Sequence, residues 1–183
     1  MFLQIANGLI FLLEAGIIHE DIKPANILKK GDYFKLCDFG VSEFSKEYVE
    51  TTTRRGTISY MPPEKLKYKN FTPSEKSDIY SLGICIYEIV FGVHPYLSKK
   101  TSNYKEYLLA LNGATLKPLP LLMKKIGSTS FKLENLFKFI ERMIDLNAKT
   151  RASLAELKEF ISTNEPFKDM KIISEDDMEF ENF

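Results

Sequence analysis

The sequence predicts a mainly α-helical domain carrying one small β-hairpin, and three observations carry that expectation. Apolar residues recur at helical spacing in five separate stretches of the 183-residue chain. Two short runs, ILKK and YFKLCDF, flank Gly31-Asp32 and read as strands joined by a two-residue turn. Hydrophobic residues make up 44 % and charged residues 27 %, a balance that supports a packed core and excludes disorder over the whole length. The length suits one domain with a sizeable core, or a domain plus a tail.

The elements follow in order. Residues 1–15 place Phe2, Ile5, Ala6, Leu9, Leu12 and Leu13 on one helical face, and Gly16 ends the run. The apolar pair Ile17-Ile18 precedes a polar cluster, HEDIKPAN, and then the hairpin. Residues 40–63 hold no sustained periodicity and read as a long loop, a feature that compact domains keep mostly for function. Residues 77–91, SDIYSLGICIYEIVF, are apolar nearly all round, which places that helix in the middle of the domain. Three further helical patterns follow, on Tyr104, Tyr107, Leu108 and Leu111, on Leu133, Leu136, Phe137, Ile140 and Ile144, and on Leu154, Leu157, Phe160 and Ile161. The last of these opens with the capping-box pair Ser153 and Glu156. The reading assigns residues 1–163 to the domain and residues 164–183 to an acidic, loosely held tail.

Charge and cysteine usage narrow the function classes. Lys plus Arg is 25 and Asp plus Glu is 25, so no basic excess exists to neutralise nucleic-acid phosphates. The balance hides an acidic end, because residues 174–183 contain no basic residue. No stretch reaches the roughly 18 uninterrupted apolar residues of a membrane span. The opening segment lacks a basic n-region and carries Gln4, Asn7 and Glu14, so it reads as an amphipathic helix rather than a signal peptide. Cys37 and Cys85 both sit in apolar runs, which argues against a disulfide framework and for a reducing cytosolic or nuclear setting.

The chemistry is concentrated between residues 19 and 64. The segment His19-Glu20-Asp21-Ile22-Lys23-Pro24-Ala25-Asn26 keeps an Asp-x-x-x-x-Asn spacing, and Asp38-Phe39-Gly40 begins seventeen residues beyond Asp21. Together these resemble the catalytic loop and the metal-binding DFG motif of the protein kinase family. Lys23, two residues after the Asp, resembles the serine/threonine type. Alone, Asp21 or Asn26 would read as part of a polar turn; the joint spacing reverses that reading.

The resemblance implies a protein-kinase-like C-lobe, an α+β fold, whose phosphoryl transfer requires positioning and charge neutralisation. It implies Asp21 as the catalytic base, with Lys23 stabilising the transferred phosphoryl group and contacting ATP. It implies Asn26 and Asp38 as ligands of Mg2+, a hard cation that takes oxygen donors. Leu28 would lie beneath the adenine; by its own sequence context it is a buried strand residue. Gly56 and Thr57 resemble the substrate-facing end of an activation segment, Thr57 being the residue that contacts the catalytic Asp and Lys. Pro62-Pro63-Glu64 stands where the family ends Ala-Pro-Glu, and the resemblance pairs Glu64 with Arg151 as a structural ion pair. Asp78, in SDIYSLG, is implied to accept hydrogen bonds from the catalytic-loop backbone; the plain alternative is a negative charge on a helix dipole. Tyr80 stands where the family usually has Trp. His19, Phe39 and Gly40 are read as structural, and His94 as a structural or surface histidine. Lys29-Lys30 and Lys124-Lys125 read as solvated faces. The DFGVS and GTISYMPPEKL stretches are similar to the mitogen-activated protein kinase kinase branch.

Two departures stand out. Glu20 occupies the place of an Arg that usually pairs with a loop phosphate, and Glu43 is acidic where a basic partner is common. Phosphorylation of Thr51, Thr52 or Thr53, beside Arg54 and Arg55, is therefore not expected to act through that Arg. Secondly, the resemblance begins inside the first long C-lobe helix. The glycines Gly8, Gly16 and Gly31 are isolated, and no Gly-rich loop, strand Lys or helix Glu of the upper lobe is found. The first helix also starts without a capping residue before Phe2, as a cut helix would. Phe39, Leu28 and part of the first helix are then expected to form an exposed apolar patch. Two functions follow: a serine/threonine kinase lobe acting on a protein substrate with an N-lobe or regulatory protein supplied from elsewhere, or a catalytically inert kinase-like interaction module.

Overall fold

The computed structural model describes residues 1–44, 56–68, 71–97, 99–113 and 131–163. Thr51–Thr53, Arg54, Arg55, the Lys124-Lys125 pair and the acidic segment 164–183 lie outside the described residues. The first helix, α1, spans Phe2–Glu14 and buries Phe2, Leu3, Ile5, Ala6 and Leu9. Gly16, at φ 76°, turns the chain out of it. The strand β1, Ile17–Ile18, pairs antiparallel with β4, Glu43–Phe44, in the register Ile17↔Phe44 and Ile18↔Glu43. This corrects the reading of residues 40–63 as an uninterrupted loop. Two residues make too short a run to show an alternating pattern, so only the partner strand defines β4.

Between β1 and β4 the chain makes a closed excursion. It holds a 3-10 turn at Pro24–Asn26 and the hairpin β2, Ile27–Lys30, with β3, Tyr33–Leu36. Gly31, at φ 56°, occupies the first position of the two-residue turn, where a positive φ is needed. The hairpin is tied to α1 through Gln4, whose Nε2 donates to the Asp32 carbonyl at 3.1 Å and whose Oε1 accepts from the Phe34 N–H at 2.7 Å. Leu28 is 58 % exposed, which corrects its reading as a buried strand residue. A two-stranded ribbon covered by a helix on one side leaves its other face uncovered.

A short helix, α2, spans Pro63–Lys67 and was not legible as a period. The long helix α3, Glu75–Phe91, occupies the centre. From Ser77 to Tyr87 every residue is buried, as its nearly uniform apolar character predicts. Gly92, at φ 68°, caps its end by donating its N–H to the Glu88 carbonyl at 2.8 Å. Around it lie α1, α5 (Phe131–Met143) and α6 (Leu154–Thr163), while α4 (Tyr104–Asn112) covers α2. Ile79, Leu82 and Ile86 share one core with Ile5, Leu9, Phe137, Ile140, Met143 and Leu157. Met61, Leu66, Tyr107 and Leu111 form a smaller cluster. At the head of α6 the Ser153 N–H donates to the Glu156 carboxylate at 2.8 Å, and the Glu156 N–H donates to Ser153 Oγ at 3.3 Å. That is the reciprocal cap read from the sequence.

Gly83 lets α3 approach the end of α5 closely. A Cβ there would sit 2.6 Å from Ile144 Cγ2 and 2.8 Å from Met143 Cβ. Helix propensity favours Ala over Gly by ~1 kcal/mol, whereas overpacking a filled core costs about 1–3 kcal/mol. Gly83→Ala is therefore expected to lower stability, by up to about 2 kcal/mol net, read from the midpoint of chemical denaturation. An increase in stability would show that the α3–α5 contact yields freely.

Candidate active site

The polar segment after β1 is held to α3 by one carboxylate. Asp78, fully buried, accepts the His19 N–H at 2.6 Å on Oδ2 and the Glu20 N–H at 2.9 Å on Oδ1. Burial pushes its carboxyl up to about 7, with the two N–H donors acting in the opposite direction. The His19 side chain is buried as well. Its Nδ1 faces the Asp21 N–H at 3.3 Å, so Nδ1 is the acceptor. Nε2 then carries the proton and donates to the Cys37 carbonyl at 3.2 Å. Burial lowers the His19 pKa, which favours this neutral form. The Phe39 ring lies against His19 with centroids 5.1 Å apart.

Asp21 stands at the centre of the network. Its Oδ2 accepts from Lys23 Nζ at 2.6 Å and from Asn26 Nδ2 at 3.1 Å. Its Oδ1 accepts from the Thr57 N–H at 2.8 Å and the Thr57 hydroxyl at 2.7 Å. Lys23 Nζ also donates to Thr57 Oγ1 at 2.9 Å. Burial by itself would raise the Asp21 pKa, but the bonds from Lys23 and Thr57 outweigh it and hold the carboxyl below its ordinary value. Asp21 is thus an anion near neutral pH. Thr57 reaches it because Gly56, at φ 93°, passes close to the Glu20 backbone; a Cβ on Gly56 would collide with the Glu20 carbonyl oxygen.

Asn26 links this loop to the DFG run. Its side-chain nitrogen donates to the Asp21 carbonyl at 2.9 Å as well as to the Asp21 carboxylate, and its carbonyl accepts the Cys37 N–H at 3.0 Å. Asp38, next along, is exposed at φ 66° and accepts the Gly40 N–H at 3.3 Å. Glu20, at φ 65°, is the other residue besides glycine with positive φ among the described residues. Such backbone costs of order 1–3 kcal/mol at each position and persists where surrounding contacts over-determine it. No group of three or more His, Cys, Asp or Glu side chains able to hold a metal exists among the described residues. The donor set on offer is the Asn26 amide oxygen, its nitrogen being engaged, and the Asp38 carboxylate. Such hard oxygen atoms fit a cation of the Mg2+ type, which keeps waters or substrate phosphates as its remaining ligands.

Glu64 and Arg151 form a two-pronged pair, Nη1 to Oε1 at 2.6 Å and Nη2 to Oε2 at 2.9 Å. Arg151 also donates to the Lys76 and Asp145 carbonyls, each at 2.9 Å, and its guanidinium lies 4.8 Å from the Tyr80 ring centre. Tyr80 meets Tyr107 hydroxyl to hydroxyl at 3.1 Å. His94 is buried and bonded to the Ser59 carbonyl at 2.7 Å, a structural placement. Leu28 and Phe39, 58 % and 49 % exposed, present apolar surface beside the network. Sequence reasoning missed Lys65, which is buried and ion-paired with Glu20. A buried carboxylate needs a cation, but the burial of Glu20 and the identity of its partner, 45 residues on, arise only in the fold.

A family model described as protein kinase domain matches residues 1–161. The chain is 32 % identical over 160 residues to the dual specificity mitogen-activated protein kinase kinase sek-1 of Caenorhabditis elegans, covering 86 % of this chain and 45 % of that protein. It is 38 % identical over 154 residues to the serine/threonine-protein kinase STE20 of Saccharomyces cerevisiae, covering 82 % of this chain and 15 % of that protein. It is 31 % identical over 163 residues to the putative mitogen-activated protein kinase kinase kinase 7-like protein of Drosophila melanogaster, covering 87 % and 39 %. The chain spans less than half the length of each of these relatives.

Asp78→Asn tests the anchoring of the loop. The amide keeps one acceptor but turns an N–H toward a backbone N–H, leaving a buried donor unsatisfied. A loss of about 1–3 kcal/mol is expected, measured by chemical denaturation. An unchanged midpoint would mean that the loop holds its place without this carboxylate.

Proposed function

The chain belongs to the protein kinase domain family, and on that footing we propose that it is the C-terminal lobe of a serine/threonine protein kinase. In this reading residues 1–163 are the lobe, residues 164–183 an appended acidic tail, and the N-lobe is supplied from outside these 183 residues. The reaction moves the γ-phosphoryl group of ATP to a Ser or Thr hydroxyl of a protein substrate. The observation that carries the reading is the single network joining Asp21, Lys23, Asn26 and Thr57.

Each residue then has a task. The substrate hydroxyl oxygen forms the new P–O bond while the bond from the γ-phosphorus to the bridging oxygen of the diphosphate breaks. The hydroxyl proton passes to Asp21. With its pKa held low, Asp21 is a weak base, so it orients the hydroxyl first and takes the proton late. Lys23, already 2.6 Å from Asp21 Oδ2, lies beside that path as the cation for the group in transfer. Gly56 and Thr57 border the place where the substrate backbone would lie. Asn26 Oδ1 and the Asp38 carboxylate would hold Mg2+, which supplies neutralisation of phosphate charge. Leu28 offers the apolar surface for the adenine. No helix among the described residues is long and apolar enough to cross a membrane.

The exposed Leu28 and Phe39 also favour a second reading, an inert module that binds a partner through this face. One experiment separates the two. Transfer of labelled phosphate from ATP to a Ser/Thr peptide is measured for the 183-residue chain and for the chain fused to a relative's N-lobe. Activity in either form is expected to fall about 10²–10⁴-fold in Asp21→Asn. Activity indifferent to that substitution, or none in both forms, would refute the catalytic reading.

A further inference from the structure

Glu20 and Lys65 form an ion pair in which both side chains are nearly inaccessible, 5 % and 7 % exposed. The pair joins two segments that also meet elsewhere. Glu20 directly precedes Asp21, and Lys65 lies on α2, at the far end of the segment that Thr57 opens. Thr57 is bonded to Asp21 through both its N–H and its hydroxyl. The segment 57–65 is thus stapled at each end to consecutive residues, Thr57 to Asp21 and Lys65 to Glu20.

Three further contacts fix Glu20 in that role. Its N–H is held by Asp78, its backbone sits at φ 65°, and its carbonyl leaves room at Gly56 for hydrogen only. A left-handed backbone at a residue with a side chain needs support from several directions; the Lys65 ammonium supplies it from the side-chain end. Lys65 is also an electrostatic partner of Asp78, so one cation serves two buried carboxylates. A small cavity lined by Glu20, Asp21, Thr57, Lys65, Ser77 and Asp78 lies among them.

We propose that Lys65 is a positioning residue, and that its ion pair with Glu20 sets the 56–65 segment against Asp21 with no phosphate or other added anion. A carboxylate at position 20 would repel a phosphate, and here its charge is already matched within the chain. The catalytic consequence rests on the phosphotransfer reading above; the geometric claim does not, and its test needs no ATP.

The test is amide hydrogen exchange, read by NMR on the unphosphorylated 183-residue chain. The Thr57 amide reports the bond to Asp21, and the Ile84 amide in α3 reports global opening. In the parent, Thr57 is expected to be protected. The double variant Glu20→Met/Lys65→Met removes both charges at similar volume with apolar side chains, a replacement of a buried pair that stability tolerates. Thr57 exchange is expected to rise about tenfold or more there while Ile84 exchange stays put. Lys65→Arg is expected to retain the protection. If the double variant fails to fold, Glu20→Gln alone is read in the same way. Three results would overturn the proposal: Thr57 exchange unchanged in the variant, Thr57 moving only in step with Ile84, or Thr57 protected in the parent only after phosphorylation.

Discussion

The Asp78 carboxylate joins the central helix α3 to the loop that carries the candidate site. A carboxylate without partners in that position would be costly, because burial disfavours its charge. Two backbone N–H groups, from His19 and Glu20, offset that cost at 2.6 and 2.9 Å. The consequence is directional. His19 and Glu20 are held in place by α3, so Asp21 enters the site at a set angle, and the neutral His19 ring carries the constraint on to Cys37 and the DFG run.

The site built on this anchor concentrates strain and charge in a few residues. Glu20 and Asp38 both sit at positive φ, and both neighbour residues with an implied role. Glu20 is stabilised from outside its own segment by Asp78 and Lys65, whereas the Asp38 carboxylate accepts the Gly40 N–H within its own segment. Around them the charges are matched in pairs: Lys23 with Asp21, Lys65 with Glu20, Arg151 with Glu64. The last is remote from Asp21 and holds α2 to the turn before α6. Removing one partner of a largely buried pair costs on the order of 3–5 kcal/mol, so the end of the 56–65 segment depends for its stability on a residue 87 positions away.

Much of this was legible in the sequence, and what was legible is local. The hairpin followed from Gly31-Asp32 between two short runs, α3 from its apolar circumference, and the cap of α6 from Ser153 and Glu156. The candidate site was legible through spacing, since Asp21, Asn26 and Asp38 form a pattern that chance seldom makes. The elements that escaped are short or defined by a distant partner. β4 exists because β1 pairs with it, α2 is only five residues long, and Leu28 is exposed, no element among the described residues covering that side of the ribbon. Lys65 escaped for the same reason, its partner being 45 residues earlier.

By itself, then, the sequence determined the helical class, the hairpin, the central helix and the residues that make up the candidate site. Those features are written in periods, caps and spacings that act over a few residues. Only the tertiary structure decided which charges meet, where the backbone is strained, which apolar side chains stay in water, and that Glu20 is matched by Lys65. Ion pairs and burial depend on distances between segments far apart in the chain. A linear pattern holds no record of those distances until the core around α3 has brought the segments together.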